Sequence, residues 1–404
     1  MKESYKIDLG LGGKPSDHRV VVAMSGGVDS SVTASLLAES GYEVVGITLQ
    51  LYDNGKMQGR KGACCAGQDI HDARRVASQI GIPHYVLDYE DRFKEAVIED
   101  FADSYLRGET PLPCVRCNER VKFADLLQSS KNLGASALAT GHYVRWVNGR
   151  FGPELHSAID ITRDQSYFLF PTTKEQLEVL RFPLGEFPKE IVRKYARDLG
   201  LKVSEKPDSQ DICFVPNGNY ASLIEKLRPG AAQPGIILDK NGKKLGEHKG
   251  TINFTIGQRR GLGVSSSKRL YVTKLDPDKG IVFVGEEDEL LSDHILVNNV
   301  TWQAHDDLAH NKEVRVRTRS THDGSPARLI WHEEGRTFIV RLDNPESATS
   351  IGQGCVVYDG SRVLGGGWIG HMGSLQQVNE KIFRMDKSNH SQDSTKLAGD
   401  YSHV

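Results

Sequence analysis

No stretch of the 404 residues approaches the ~20 consecutive apolar positions that a membrane-spanning helix requires. Neither sign of charge is in excess: 51 Lys and Arg stand against 53 Asp and Glu, a formal net charge of −2. The molecule as a whole therefore does not attract a polyanion, and any nucleic-acid site must be a local basic surface. Cysteine is scarce, with six in the chain. So few point to thiol chemistry or a metal rather than a stabilising disulfide framework. The polar stretch from Met1 to Arg19 has no apolar segment of the signal-peptide kind, so a cytoplasmic enzyme is the default expectation. The balance of 38% hydrophobic and 26% charged residues suits a soluble globular protein, and the length calls for two or three domains.

One further absence is more telling. Val20-Val-Val-Ala23-Met24 runs into Ser25-Gly26-Gly27-Val28-Asp29-Ser30-Ser31, and this glycine turn has no lysine. That excludes the common GxxxxGK[ST] phosphate loop. The turn still has the parts of an anion cradle. The apolar run predicts a strand, and Val32, Leu36 and Leu37 predict one face of a helix that stops at Gly41. Two glycines admit positive φ and a close anion, and the new helix offers free N–H groups. A carboxylate at Asp29 beside phosphates makes sense if it holds Mg²⁺. The motif SGGVDS resembles the pyrophosphate loop of the N-type ATP pyrophosphatases. The resemblance implies cleavage of ATP between its α- and β-phosphates, with AMP placed on a substrate oxygen.

Strands at 43–49, 85–87 and 136–140 alternate with helices at 69–80, 91–107, 119–132 and 191–200. Alternation of this kind predicts an α/β fold: an N-terminal doubly wound parallel sheet, with ligands at the strand C-termini. Leu49 and Gly141 stand at such ends. From about 216 the pattern turns to strand-like, Gly-punctuated pieces, and from about 290 to short alternating strands, as in a small β-barrel. The expected layout is an extension over 1–18, a catalytic domain over 19–215, a small mixed central domain over 216–289, a C-terminal β-barrel over 290–375, and a polar tail over 376–404. Residues 53–68 read as a loop.

Cys117 and Cys213 each lie in what reads as a polar loop, where a thiol can ionise and be reached. Arg116 is a candidate for lowering the pKa of Cys117. The ordered set SGGVDS, CxxCN-x₃-KF, ATGHY, DQSYFL, SQDICF and TIGQRRGLG is similar to that of the tRNA-specific 2-thiouridylases, over about Arg19 to Ile369. This resemblance implies adenylation of the wobble uridine 2-oxygen, then sulfur delivery from a cysteine persulfide. By resemblance, Cys213 carries the persulfide and Cys117 is the nucleophile, the two forming a transient disulfide. Ala23, Met24, Ser25, Gly26, Gly27, Val28, Asp29, Ser30, Leu49 and Gly141 would hold ATP, with Mg²⁺ at Asp29. His142, Arg163, Asp164, Gln165, Arg319, Ser320 and Gln353 would contact tRNA. The implied partners are tRNA and a cysteine desulfurase or sulfur-relay protein.

Plainer readings stand beside these. His142 also reads as a satisfied loop histidine. Arg315, Arg317 and Arg319 alternate with period two, which suits either a phosphate track or a solvated strand face. Thr110-Pro111-Leu112-Pro113-Cys114 lacks the Asp found in the familiar Asn-Pro-Asp form, and it creates a CxxC with Cys117. An iron–sulfur cluster or zinc at Cys114, Cys117 and Cys213 is one alternative. Cys64-Cys65 reads as a loop entry to a helix, and Cys355 as core. Rival functions are an amidating pyrophosphatase, which needs ammonia or a glutaminase, and a CxxC metal-dependent RNA-binding module.

Overall fold

The computed structural model describes residues 5–52, 65–208, 212–215, 218–304, 312–332, 337–347 and 349–371. Cys64, most of the expected 53–68 loop and the expected polar tail fall outside these residues. Among the described residues no helix is long and apolar enough to cross a membrane. The chain divides into two compact units. One comprises Met1–Tyr105, Pro111–Ala232 and Ser361–Val363; the other comprises Leu106–Thr110, Gln233–Gly360 and Leu364–Val404.

The first unit is built on five parallel strands: β1 (Arg19–Ala23), β2 (Glu43–Gln50), β3 (His84–Asp88), β4 (Ala137–Ala139) and, beyond a hairpin of β5 (Val144–Gly149) and β6 (Gly152–Ser157), β7 (Leu180–Arg181). Their order is β3-β2-β1-β4-β7. Val20, Val21 and Val22 are fully buried, as a strand covered on both faces demands. The order reverses between β1 and β4, and it is there that an open α/β sheet leaves a crevice for a ligand.

Helix α1 (Val28–Glu39) departs from the one-sided pattern expected of it, because it is buried on nearly every face. Its polar residues tolerate this by bonding back along the helix: Ser31 Oγ donates to Gly27 O at 2.7 Å, Thr33 Oγ1 to Asp29 O at 2.9 Å and Ser35 Oγ to Ser31 O at 2.9 Å. α2 (Cys65–Ile80) begins ahead of the expected start at 69. The helical run α3 over 90–106 winds as a π-helix over Lys94–Glu99.

A second run, α4, covers 113–132 and is π-wound over Asn118–Leu126. It starts at Pro113, well before the expected 119, so Cys117 is a helical residue and not a loop residue. Proline suits this start because the first helical N–H has no partner to lose. Helices α5 (Lys174–Val179) and α6 (Lys189–Asp198) complete the part that bears on the site.

The second unit holds a four-stranded sheet of β8 (Gly235–Leu238), β9 (Lys244–His248), β10 (Tyr271–Asp276) and β11 (Ile281–Gly285), in the order β10-β11-β8-β9. It also holds a six-stranded barrel: β12 (Leu291–Trp302), β13 (Glu313–Arg317), β14 (Ser325–His332), β15 (Thr337–Ser347), β16 (Gly354–Asp359) and β17 (Arg362–Ile369). Pairing of β12 with β17 closes it. Ile295, Val297, Val316, Phe338 and Val357 fill its interior, and Cys355 is buried among them. β13 ends at Arg317, two residues short of the expected strand, so Arg319 lies in the following turn.

Candidate active site

The Ser25–Ser30 turn links β1 to α1 at the sheet's reversal point. Gly26 has φ +75°, and a Cβ there would come within 2.1 Å of the Asp69 carbonyl oxygen. Glycine is therefore required both by conformation and by the closeness of α2. Gly27 is the N-cap of α1 and has no side chain to cap it. The leading N–H groups of the helix are left without intrahelical acceptors, at the positive end of its dipole. Ser30 Oγ accepts from Ser25 N at 3.1 Å and lies 3.2 Å from Ser25 Oγ, which fixes the turn. Gly141, past the end of β4, backs onto α1 so closely that a Cβ would sit 2.9 Å from Ser30 N. Buried Met24 and half-buried Ala23 and Leu49 line the strand ends. Val28 is buried in the first turn of α1.

Asp29 is engaged by the protein itself. Lys189 Nζ donates to its two oxygens at 2.7 and 2.8 Å, and Tyr143 Oη donates at 2.8 Å. The same Nζ lies 2.9 Å from Asp208 Oδ1. Asp208 also pairs with Arg193 at 2.7 Å and with Arg163 at 3.0 Å. Burial alone would raise the Asp208 carboxyl, but Lys189, Arg193 and Arg163 together outweigh it and hold it below the usual carboxylate range. Nearby, Lys206 Nζ donates to Gly26 O at 3.0 Å, Asp69 Oδ1 at 2.6 Å and Asp72 Oδ2 at 2.9 Å. Lys189, Tyr143, Lys206 and Asp208 are absent from the sequence-derived candidate set.

The two candidate thiols are electrostatic neighbours. Burial is the main cause that pushes the Cys213 thiol up to about 12, with Cys117 and Cys114 adding to it. Cys213 reaches the surface as a residue, but its thiol stands among closely packed groups, and a hydrogen bond with Tyr52 and the charge of Lys122 oppose the rise. Phe214 fixes this stretch edge-on against Phe93 and Phe101, at 5.8 and 5.4 Å between ring centroids.

Cys117 is buried, not in a reachable polar loop, and burial raises its thiol too. Arg116 does not serve it: its guanidinium bonds Glu119 at 2.9 Å and pairs with Asp100 at 3.5 Å. Lys122 is the cation that acts on Cys117. Among the described residues no three His, Cys, Asp or Glu side chains are grouped to hold a metal ion, so Cys114, Cys117 and Cys213 form no ready metal site.

His142 is half-buried, between Phe123 and Phe182, with Nδ1 2.7 Å from Thr140 Oγ1. Desolvation, with Lys122 adding, lowers it to about 3, so the imidazole is neutral. Of the Arg163-Asp164-Gln165 stretch, Asp164 accepts from Ala158 N and Ser166 N, both at 3.1 Å, and Gln165 Oε1 accepts from Tyr143 N at 2.9 Å. Both build the loop, while the partly exposed Arg163 pairs with Asp208. In the second unit, Arg315 donates to Gly324 O and Arg317 to Ser320 O, so these two arginines shape the turn after β13. Arg319 is exposed and Ser320 half-buried. Gln353 Nε2 donates to Thr110 O at 3.1 Å.

Parallel sheet, uncapped turn and reversal point together define an open α/β domain with an anion cradle at its switch point. Three family models match in succession: the tRNA methyl transferase HUP domain over residues 18–217, the tRNA methyl transferase PRC-barrel domain over 224–286 and the aminomethyltransferase beta-barrel domain over 292–369. The tRNA-specific 2-thiouridylase MnmA of Parvibaculum lavamentivorans is 58% identical over 383 residues, covering 92% of this chain and 96% of that protein. The enzyme of the same name from Rickettsia felis is 56% identical over 363 residues, covering 89% and 98%. The chain belongs to the tRNA-specific 2-thiouridylase family. Among solved structures, the U34-tRNA thiolase NcsA from Methanococcus maripaludis with its [4Fe-4S] cluster is 21% identical, with a TM-score of 0.32 over 53% of this chain and 67% of that one. A 4-thiouridine synthetase–RNA complex with bound ATP is 15% identical, with a TM-score of 0.33 over 53% and 54%.

Proposed function

We propose that Cys213 carries the persulfide and Cys117 releases its sulfur, in a cytoplasmic enzyme that takes sulfur from a cysteine desulfurase or relay protein. The reaction is that of the family: ATP-dependent thiolation of the tRNA wobble uridine at C2. The oxygen of a urea-type carbonyl is a poor leaving group, so the uridine 2-oxygen first attacks the α-phosphate of ATP and pyrophosphate departs. The SGG turn meets the triphosphate with backbone N–H groups and the α1 dipole. Mg²⁺ bound at Asp29 would neutralise phosphate charge. Asp29 would take that role as Lys189 relinquishes it, which leaves the ammonium, still paired with Asp208, beside the same phosphates.

Cys117 Sγ, as thiolate, then attacks Cys213 Sγ. The S–S bond of the persulfide breaks, and the expelled hydrosulfide adds to C2 and displaces AMP. A Cys117–Cys213 disulfide remains, and two electrons from an external thiol restore both cysteines. The target base must leave its stack to reach this site. Neutral His142, Arg163 with its neighbours Asp164 and Gln165, and Arg319, Ser320 and Gln353 are the proposed RNA contacts. The domain limits 19–215, 216–289 and 290–375 belong to the same reading.

The observation that carries the proposal is that Cys213 stands within electrostatic reach of Cys117, at the end of a stretch whose Lys206 and Asp208 bond to the nucleotide turn and its lysine. Cys117→Ser and Cys213→Ser should each abolish 2-thiouridine, measured by mass spectrometry of tRNA nucleosides, while ATP still binds. Thiolation that survives either change overturns the assigned roles.

A further inference from the structure

The donors of Lys206 are all taken by the protein. An ammonium has three N–H groups, and here three acceptors meet them: Gly26 O at 3.0 Å, Asp69 Oδ1 at 2.6 Å and Asp72 Oδ2 at 2.9 Å. None is left for a phosphate, so Lys206 does not stand in for the lysine of the common phosphate loop. Its anchor is itself anchored. Asp72 is buried, and Gln68 Nε2 and Arg75 Nη2 each donate to its other oxygen at 2.9 Å. Arg193 Nη1 on α6 donates to the Lys206 carbonyl at 3.1 Å. Two helices thus combine to set one ammonium on one backbone oxygen of the turn.

The direction of that oxygen decides the other side of its peptide. A trans peptide is planar, with C=O and N–H pointing opposite ways. While the Gly26 oxygen faces Lys206, the Gly27 N–H is turned away from it at the head of α1, and among the described residues it has no acceptor. The reverse orientation is open to this peptide. A flip would carry the φ of Gly27 from −90° to the positive side, which glycine takes readily and other residues rarely. The resting conformation does not itself call for glycine at 27: that φ is ordinary, and a Cβ there would find its nearest neighbour, Ser25 Oγ, at 3.5 Å. We infer that Lys206 is a positioning residue of the nucleotide site, which by holding the Gly26 carbonyl aims the Gly27 N–H at the triphosphate. The inference rests on the reading of the turn as the ATP cradle. Without the ammonium the two glycines leave the peptide between them able to turn, and the flipped form sets a carbonyl oxygen against a phosphate where a donor had been.

The test separates the triphosphate from the nucleoside. Full-length protein is titrated calorimetrically with α,β-methylene ATP and Mg²⁺ and, separately, with adenosine; the ratio of the two dissociation constants reads what the phosphates contribute. Lys206→Met should bind the analogue about tenfold more weakly or worse, the lower range for one hydrogen bond to a charged group, and adenosine as before. Asp72 keeps Gln68 and Arg75 in this variant, so no buried carboxylate is stranded. Lys206→Arg, which keeps donors and charge, should recover most of the loss. A lysine that served stability alone would weaken both ligands alike. On a Gly27→Ala background, where the Cβ resists the flipped φ, the penalty of Lys206→Met should shrink to under about threefold. An unchanged ratio in Lys206→Met, or an undiminished penalty beside Gly27→Ala, overturns the inference. A wild-type protein that binds adenosine as tightly as the analogue is a different result, and overturns the reading of the turn as the cradle.

Discussion

Replacing Lys189 with methionine keeps most of the apolar stem of the side chain and removes the ammonium with its charge and hydrogen bonds. The ammonium is buried, with a side-chain exposure of 7%, and it bridges Asp29 and Asp208, exposed by 31% and 20%. Truncating one member of a fully buried pair costs about 3–5 kcal/mol, because the other charge is left uncompensated. Here water reaches both carboxylates, Tyr143 still donates to Asp29, and Arg163 and Arg193 still pair with Asp208. The expected loss is therefore about 2–3 kcal/mol, below that range. For a unit of this size each kcal/mol moves the melting temperature by roughly 2–4 °C, so a drop of about 4–12 °C is expected in the transition of the first unit. Scanning calorimetry of the full chain measures it.

The double variant Lys189→Met/Asp208→Asn should lose less than the sum of the two single changes by about 1 kcal/mol, since one stranded charge has been removed. The pH dependence has a definite sign. The Asp208 carboxyl is depressed below its ordinary 3.8, so its contribution is complete above that value and fades as pH falls through the depressed one. The gap between wild type and Lys189→Met should close accordingly in acid. A melting temperature unmoved by the substitution, or strict additivity in the double variant, refutes the reasoning.

Two further outcomes follow from the turn and the thiols. Gly26→Ala forces a Cβ to within 2.1 Å of the Asp69 carbonyl at a φ of +75°. The conformation alone costs about 1–2 kcal/mol, and the clash pushes the turn off α2. Pyrophosphate release in the presence of tRNA should fall by about tenfold or more, in line with a comparable loss of transition-state stabilisation; release near the wild-type rate would sink the assignment of the cradle. In the resting enzyme burial holds Cys213 near 12 and raises Cys117 as well. Iodoacetamide modification of Cys213 should thus climb roughly tenfold per pH unit between about pH 7 and pH 9 without levelling. A plateau near pH 8 would reveal a stabilised thiolate and contradict this account.

The turn and its sheet were legible in the sequence because their signals are local. An apolar run, two adjacent glycines and a helical period lie within one short window, and parallel pairing follows from the alternation of elements. Asp29 was picked out by its place in the turn, but the groups that engage it were not, since Tyr143 and Lys189 come from distant stretches. One local hint existed: Lys189 opens a helix, where the macrodipole disfavours a cation, so a carboxylate partner from elsewhere was implied. Cys117 read as a loop residue because two prolines flank Leu112, although Pro113 is also how a helix can begin. Arg315 and Arg317 read as outward cations by their period, yet each turns to bond a backbone carbonyl in the turn beyond its strand.

The π-wound stretch Asn118–Leu126 has its own geometric outcome. At 3.6 residues per turn, side chains five positions apart diverge by about 140°, which would send Lys122 round the helix from Cys117. Widening the coil so that bonded partners are five apart narrows that angle, and the charge of Lys122, whose Nζ donates to Asn118 Oδ1 at 3.2 Å, is felt at the sulfur.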